Sequence, residues 1–345
     1  MIWQKWGDRP MRWTAIIFII LISQSSYAQR QNSFSSIDWH VSFVDAATPD
    51  SLSLKLTTPY HSDLEKVRAI FSWIAQHIAY NTGVYNKPRS ATHFVSAPLD
   101  TVTVWKSGIE MTAQKVLDRR IAVCEGYAKL FKTLCDYAGI RCELVYGYAK
   151  CYLERSEKFR TNHTWNAVLI DSTWQLLDVT WASGYISFGN EFVQRIDESY
   201  FLPSPKQFIL DHYPEDLRWT LLEHPPPLKE FQFSPFRYKS FIKYGIESLK
   251  PGNGVIEASV GDTIEIGFRV KDAEKNKHIS PDPFFDSTWF QAPASAFLNP
   301  VVNVDLVRYT YIISSDQVEW LHLLYNEDVV LRFRLKLRRV PGADN

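Results

Sequence analysis

Three side chains in this sequence have the types and order of a thiol nucleophile and its helpers. Cys124 stands in Val123-Cys124-Glu125-Gly126-Tyr127, where a loop gives way to a helical apolar pattern. Backbone N–H groups at a helix N-terminus favour negative charge, so a thiol there is disposed to act as a thiolate. His163 opens a stretch of strand-forming residues, and Asp178 lies in the next one, with Asp171-Ser172 as the turn between them. A two- or four-residue turn gives an odd register sum, and positions 163 and 178 also sum to an odd number. The two side chains then leave the same sheet face, directly opposite or one diagonal apart. An aspartate so placed holds the imidazole tautomer while the other ring nitrogen faces the thiol. Taken singly, each residue has a blander reading: a packed core thiol, a hydrogen-bonded structural histidine, an aspartate capping a turn.

The elements that must position these residues are readable from period and punctuation. Ser62 and Glu65 form a capping-box pattern, and Leu64, Val67, Ile70, Phe71, Ile74 and Ile78 recur at helical spacing, which predicts an amphipathic helix ending near Tyr80-Asn81. Residues 82–108 hold no period and include Pro88, Pro98 and Gly108, so they read as a long loop. A short helix from about Thr112 leads to Cys124. A longer one follows through Tyr127, Leu130, Phe131, Leu134, Cys135 and Ala138 to a stop at Gly139. Cys142 to Ala149, His163 to Ile170 and Trp174 to Trp181 read as three strands.

Together these segments resemble the transglutaminase-like superfamily, in its kyphoscoliosis peptidase-like branch. The resemblance rests on EKVRAIFSWIAQHIAY from Glu65 to Tyr80, VCEGYAKLF from Val123, AGIRCELVYGYAK from Ala138, HTWNAV from His163 and WQLLDVTW from Trp174 to Trp181. It covers roughly residues 60–215, and Tyr200 to Leu222 looks like the tail that follows such a core. It implies an α+β, papain-like core with helices packed on an antiparallel sheet, and a catalytic triad at Cys124, His163 and Asp178. Two positions depart from the family pattern: Thr164 stands where a small residue is usual after the histidine, and Asn81 where Asp often follows Tyr80. The Cys124 backbone N–H is the natural oxyanion donor. A second is sought in the 82–108 loop, where Trp105 is a candidate. Cys135, Cys142 and Cys151 read as packed thiols, with a Cys135–Cys142 disulfide as the alternative.

Beyond about residue 215 the texture changes. Pro225-Pro226-Pro227 reads as a stiff linker, and alternation at Ile264, Ile266, Phe268 and Val270 and again at Leu331, Phe333, Leu335 and Leu337 indicates strands. Further strand-like stretches near 241–246, 254–260 and 304–314 make an all-β, immunoglobulin-like sandwich the simplest architecture. Arg332, Arg334, Lys336 and Arg338 alternate with apolar residues and read as a solvent-facing strand whose charges deter edge pairing. The expected organisation is a leader over 1–28, an extension over 29–60, a transglutaminase-like catalytic domain over 61–224 and the β domain over 225–345. The leader reading rests on Lys5, Arg9 and Arg12, an apolar run from Ala15 to Ile22 too short for a membrane span, and small residues at Ser26 and Ala28. It implies export to a periplasmic or extracellular location after cleavage near Ala28, without stable membrane insertion.

Lys and Arg number 38 against 38 Asp and Glu, and that balance gives no support to nucleic-acid binding, which needs a basic excess. The resemblance implies acyl transfer on protein or peptide carboxamides, needing no cofactor and no metal. The implied outcome is proteolysis or deamidation when water accepts the acyl group, or cross-linking when an amine does. The alternative is a non-catalytic interaction module that uses the core and the β domain as a binding platform.

Overall fold

The computed structural model describes residues 34–84, 107–150, 161–187, 190–281 and 294–338. The expected leader, Trp105, Cys151 and most of the long loop lie outside them. The N-terminal helices are α1 (residues 34–41), α2 (Pro49–Thr57) and α3 (Asp63–His77). Ser62 caps α3 through the expected box: the Glu65 amide donates to Ser62 Oγ, and the Ser62 amide donates to Glu65. The helix stops at His77, short of Tyr80-Asn81, because the chain turns extended at Ile78 and forms β1 (Ala79–Tyr80).

Strand β1 pairs in parallel with β2 (Ile121–Ala122), the two residues that lead into the nucleophile helix α5 (Cys124–Tyr137). Asn81 N–H donates to Ala122 O at 2.8 Å, and Tyr127 Oη donates to Ile78 O at 2.6 Å. Position 124 is therefore flanked by one backbone bond and one side-chain hydroxyl bond to the β1 segment. Between β1 and β2 lies α4 (Gly108–Arg119), which begins four residues before the expected Thr112 because Ser107 accepts from the Glu110 amide and caps it. Helix α5 ends as expected at Gly139, whose φ of +73° suits glycine; Ile140 N–H donates to Cys135 O and Gly139 N–H to Asp136 O.

The sheet of the core is antiparallel, in the order β5 (Thr173–Leu177), β4 (His163–Ile170), β3 (Cys142–Ala149), β8 (His212–Pro214), and a separate pair is made by β6 (Gly184–Ile186) and β7 (Phe192–Gln194). Asp171 and Ser172 both have positive φ and close the β4–β5 hairpin. The reading of Trp174 to Trp181 as one strand needs correction. The strand ends at Leu177, and Val179–Ser183 form a short helix, α6, because the Asp178 carboxylate accepts from the Thr180 and Trp181 amides and starts a helical turn. Buried Arg68 of α3 binds α1 and the turn at Glu198–Tyr200 together, through Asp38 and Glu198.

The C-terminal half has its own apolar cluster, centred on Phe268, Tyr309, Leu321, Leu323 and Phe333. One sheet runs β10 (Ile246–Lys250), β12 (Thr263–Val270), β15 (Leu306–Ile312), β14 (Val301–Asn303). The other runs β11 (Val255–Ala258), β17 (Asp328–Leu337), β16 (Trp320–Tyr325), β13 (Ser295–Leu298), with β11–β17 and β13–β16 parallel and the short β9 (Phe236–Arg237) also paired to β17. Two expectations fail here. Residues 241–243 belong to the short helix Lys239–Lys243, not to a strand. Nor is the basic strand an edge: β17 is flanked by β11 and β16, and Arg332 is buried, with its guanidinium 4.3 Å from the Trp320 ring centroid. The Pro225–Pro227 segment docks on the core, since Tyr213 Oη donates to Pro226 O and Lys150 Nζ donates to Ser234 O.

Gly147 of β3 lies opposite His163 on one side and Pro214 on the other. A Cβ at that position would collide with Tyr213 O and would lie 2.5 Å from the Trp165 ring and 2.8 Å from Pro214 Cα. Two of those neighbours are backbone, so relief requires β8 to move away from β3. Gly147→Ala should cost about 1–3 kcal/mol of stability, the usual overpacking range, read as a lowered denaturant midpoint. An unchanged midpoint would mean that β8 is free to shift.

Candidate active site

Cys124 is the first residue of α5, half-buried and a free thiol. No side chain of its N-cap residue, Val123, caps the helix. The first-turn dipole of α5 is thus turned on the thiol. His163, the first residue of β4, is buried beneath it. In the register of the β4–β5 hairpin Asn166 faces Leu177, so Asp178 continues opposite Trp165, one diagonal from His163. His163 Nε2 lies 2.7 Å from Asp178 Oδ2, and of the two placements expected, directly opposite or one diagonal apart, the diagonal is the one observed.

Electrostatics follow from that burial. Desolvation is the largest influence on His163 and pulls its pKa down. The charge and hydrogen bond of Asp178, then the hydrogen bond and charge of Cys124, outweigh it and push the pKa up to about 10. For Asp178 burial is again largest and favours the neutral acid, but His163 and then His212 hold the carboxyl below its usual range. The carboxylate survives without water because both oxygens are engaged: Oδ1 by the Thr180 and Trp181 amides, Oδ2 by two imidazoles.

The second imidazole, His212 of β8, is the functional candidate that the sequence reading missed. Its Nε2 lies 3.0 Å from Asp178 Oδ2 and its Nδ1 2.6 Å from Asp211 Oδ1, and the side chain is fully buried. Ala149 and Gly147 on β3 are small enough for the rings of His163 and His212 to approach to 5.3 Å above the strand between them. Trp165, Trp181 and Phe208 wall the pair, with Phe208 stacked on His212 at 4.2 Å. Ligand atoms of His163, Asp178 and His212 lie within 4.8 Å of one another, a spacing that also suits a metal ion. Each is also hydrogen-bonded to another member of the trio, so the three form a continuous chain from His163 through Asp178 to His212.

The remaining cysteines are packing thiols among the described residues. Cys135 and Cys142 are buried and free, so the alternative disulfide is not formed. Burial, then the Cys142 thiol beside it, pushes Cys135 well up from its ordinary value. Asn166 Nδ2 donates to Ala128 O and to Cys142 Sγ, tying β4 to α5 just behind the reactive end.

Residues 50–179 match the model of the Transglutaminase-like superfamily, a span that includes Cys124, His163 and Asp178 and stops before His212. Kyphoscoliosis peptidase of Homo sapiens is 33% identical over 234 residues, 66% of this chain and 32% of that protein. Hillarin of Drosophila melanogaster is 28% identical over 232 residues, 61% of this chain and 25% of that protein. The chain thus spans about a third or less of the length of these relatives. Among solved structures, a TGase aligns at 18% identity over 52% of this chain and 42% of its own, with a TM-score of 0.27.

The histidine shift has a defined pH signature. A folded-state pKa above the unfolded one means that the native state holds the extra proton. The stability contributed by His163 is then full below the ordinary imidazole range and is lost as pH rises toward about 10. The Asp178 share is lost only as pH falls below the ordinary carboxylate range. Lys150, lowered to about 7 chiefly by burial, has the opposite sign over the alkaline interval, so the comparison must be differential. Between about pH 6.5 and 10 the unfolding free energy of His163→Gln should fall less steeply than that of the unmodified chain, by up to about 1.4 kcal/mol per pH unit. Parallel curves in chemical denaturation would show that His163 holds no extra proton.

Proposed function

Residues 50–179 belong to the transglutaminase-like superfamily, in its kyphoscoliosis peptidase-like branch, and from that premise we propose that the chain is a thiol enzyme transferring acyl groups from protein or peptide carboxamides. The observation that carries the proposal is the buried His163–Asp178 bond of 2.7 Å, with the Cys124 thiol acting on the same imidazole from the start of α5. Asp178 fixes Nε2 of the ring, which leaves Nδ1 for the nucleophile.

In this reading the Cys124 thiolate attacks the carboxamide carbon, and the carbonyl π electrons move to oxygen, where the Cys124 backbone N–H stabilises them. The oxyanion collapses, the C–N bond breaks, and His163 gives its proton to the departing nitrogen. The product is a thioester on Cys124 and a free amine or ammonia. His163, now neutral, takes a proton from water as its oxygen attacks the thioester carbon; the C–S bond then breaks, releasing the carboxylic acid and restoring the Cys124 thiolate beside the protonated imidazole. With water the result is proteolysis or deamidation, which we take as the outcome. An amine in place of water would give a cross-link through the same steps.

The C-terminal two-sheet half we read as an immunoglobulin-like domain that positions a substrate or partner. None of its described residues joins the relay, and it reaches the core through Lys150, Tyr213 and Phe231. An exported location, if the leader is cleaved, would offer extracellular or cell-wall peptides as substrates.

A proteomic comparison of cells carrying the unmodified chain, Cys124→Ala and His163→Gln tests the proposal. New termini or deamidated glutamines should appear only with the unmodified chain, and His163→Gln should lower their rate of formation by about 100- to 10,000-fold. The same peptide profile in all three would sink the enzymatic reading and favour the binding platform.

A further inference from the structure

His212 is a fully buried side chain placed between two carboxylates, and its hydrogen-bond geometry constrains its protonation. Nε2 faces Asp178 Oδ2 at 3.0 Å, and Nδ1 faces Asp211 Oδ1 at 2.6 Å. A neutral imidazole has one N–H and one lone pair, so one of those contacts would set a lone pair against a carboxylate oxygen. Only the imidazolium donates to both. Asp211 has its other oxygen committed as well, since Tyr200 Oη donates to Oδ2 at 3.0 Å.

We propose that His212, held by Asp211, is a positioning residue whose positive charge fixes the Asp178 carboxylate and limits how tightly Asp178 makes His163 hold its proton. The proposal deepens the function given above and rests on it. His163 must hold a proton to pair with the thiolate, yet must release that proton to the leaving nitrogen. A lone buried aspartate would overstabilise the imidazolium and slow the release. A second cation on the same carboxylate oxygen, with its ring 5.3 Å from that of His163, opposes this directly.

The groups around the pair are few. His163 is faced by Asp178 from the start of α6, by Cys124 from α5 and by His212 from β8. His212 is faced by Asp178, Asp211, His163 and Tyr200, with Trp165, Trp181 and Phe208 as uncharged walls. Lys150, the residue after β3, lies close enough to Asp211 to feel its charge, and Lys239 sits 4.8 Å over the Tyr200 ring and pairs with Asp197. Tyr127 lies near Asp178 but donates its hydroxyl elsewhere, to Ile78 O. Among these, His212 is the cation in hydrogen-bond contact with Asp178 besides His163 itself.

Side-chain nitrogen NMR on the full chain labelled at histidine reads both rings, with signals assigned through His163→Gln and His212→Gln. In the unmodified chain His212 should carry protons on both nitrogens at neutral pH. In His212→Gln, which keeps an amide donor near Asp178, the His163 titration midpoint should rise by about one unit, because a cation about 5 Å away is gone. Asp211→Asn should move it in the same direction with His212 still in place, by weakening the hold on the second proton. That variant also guards against a His212→Gln chain that does not fold. A merely structural role would lower stability and leave the His163 midpoint where it was. An unmoved midpoint in the folded variant or variants, or a neutral His212 in the unmodified chain, overturns the proposal. Failure of the enzymatic reading shows separately, as a peptide profile indifferent to Cys124→Ala.

Discussion

A carboxylate with no access to water must be compensated entirely from within the protein, and the core is arranged around doing so for Asp178. Desolvating such a group costs several kcal/mol unless charges and donors replace the lost hydration. Four donors converge on it: two amides at the start of α6 and two imidazoles, one from each side of β3. They come from three separate features of the fold. The amides require the strand to end at Leu177, His163 requires the hairpin register, and His212 requires β8 to close on β3.

From that constraint the rest of the site follows. The imidazole of His163 is oriented because Asp178 is, and Cys124 meets it because β1 and β2 hold the start of α5 by backbone pairing. Small residues at 147 and 149 are the condition for two histidines to meet over one strand. The aromatic walls exclude water and raise the strength of every charge interaction inside them. Removing any one donor leaves a buried anion short of a partner, which costs more than the lost bond alone.

Much of this was legible in the sequence, and the parts that were not share a cause. Cys124, His163 and Asp178 announce themselves through local signals: a helix start, a strand start and the parity of a hairpin. His212 announces nothing local. Its strand has three residues, its period is too short to read, and it reaches Asp178 only through long-range pairing with β3. The one cue was an Asp-His dipeptide inside an otherwise aromatic tail. Asp178 reads as a strand residue because Trp174 to Trp181 is rich in strand formers, although an aspartate with the Thr180 and Trp181 amides after it is also a helix cap. Arg332 reads as solvent-facing for a similar reason: alternation identifies a strand, but not whether other strands flank it.

The central claim is that the buried Asp178 carboxylate, acting through His163, is what makes Cys124 a nucleophile. The most direct measurement is the rate of Cys124 alkylation by a small haloacetamide at neutral pH, compared between the unmodified chain and Asp178→Asn, with folding of both verified. The account predicts that the unmodified thiol reacts faster than free cysteine and that Asp178→Asn brings the rate down to, or below, that of an unassisted thiol. Equal rates in the two chains would contradict it, because the carboxylate would then organise the fold without reaching the thiol.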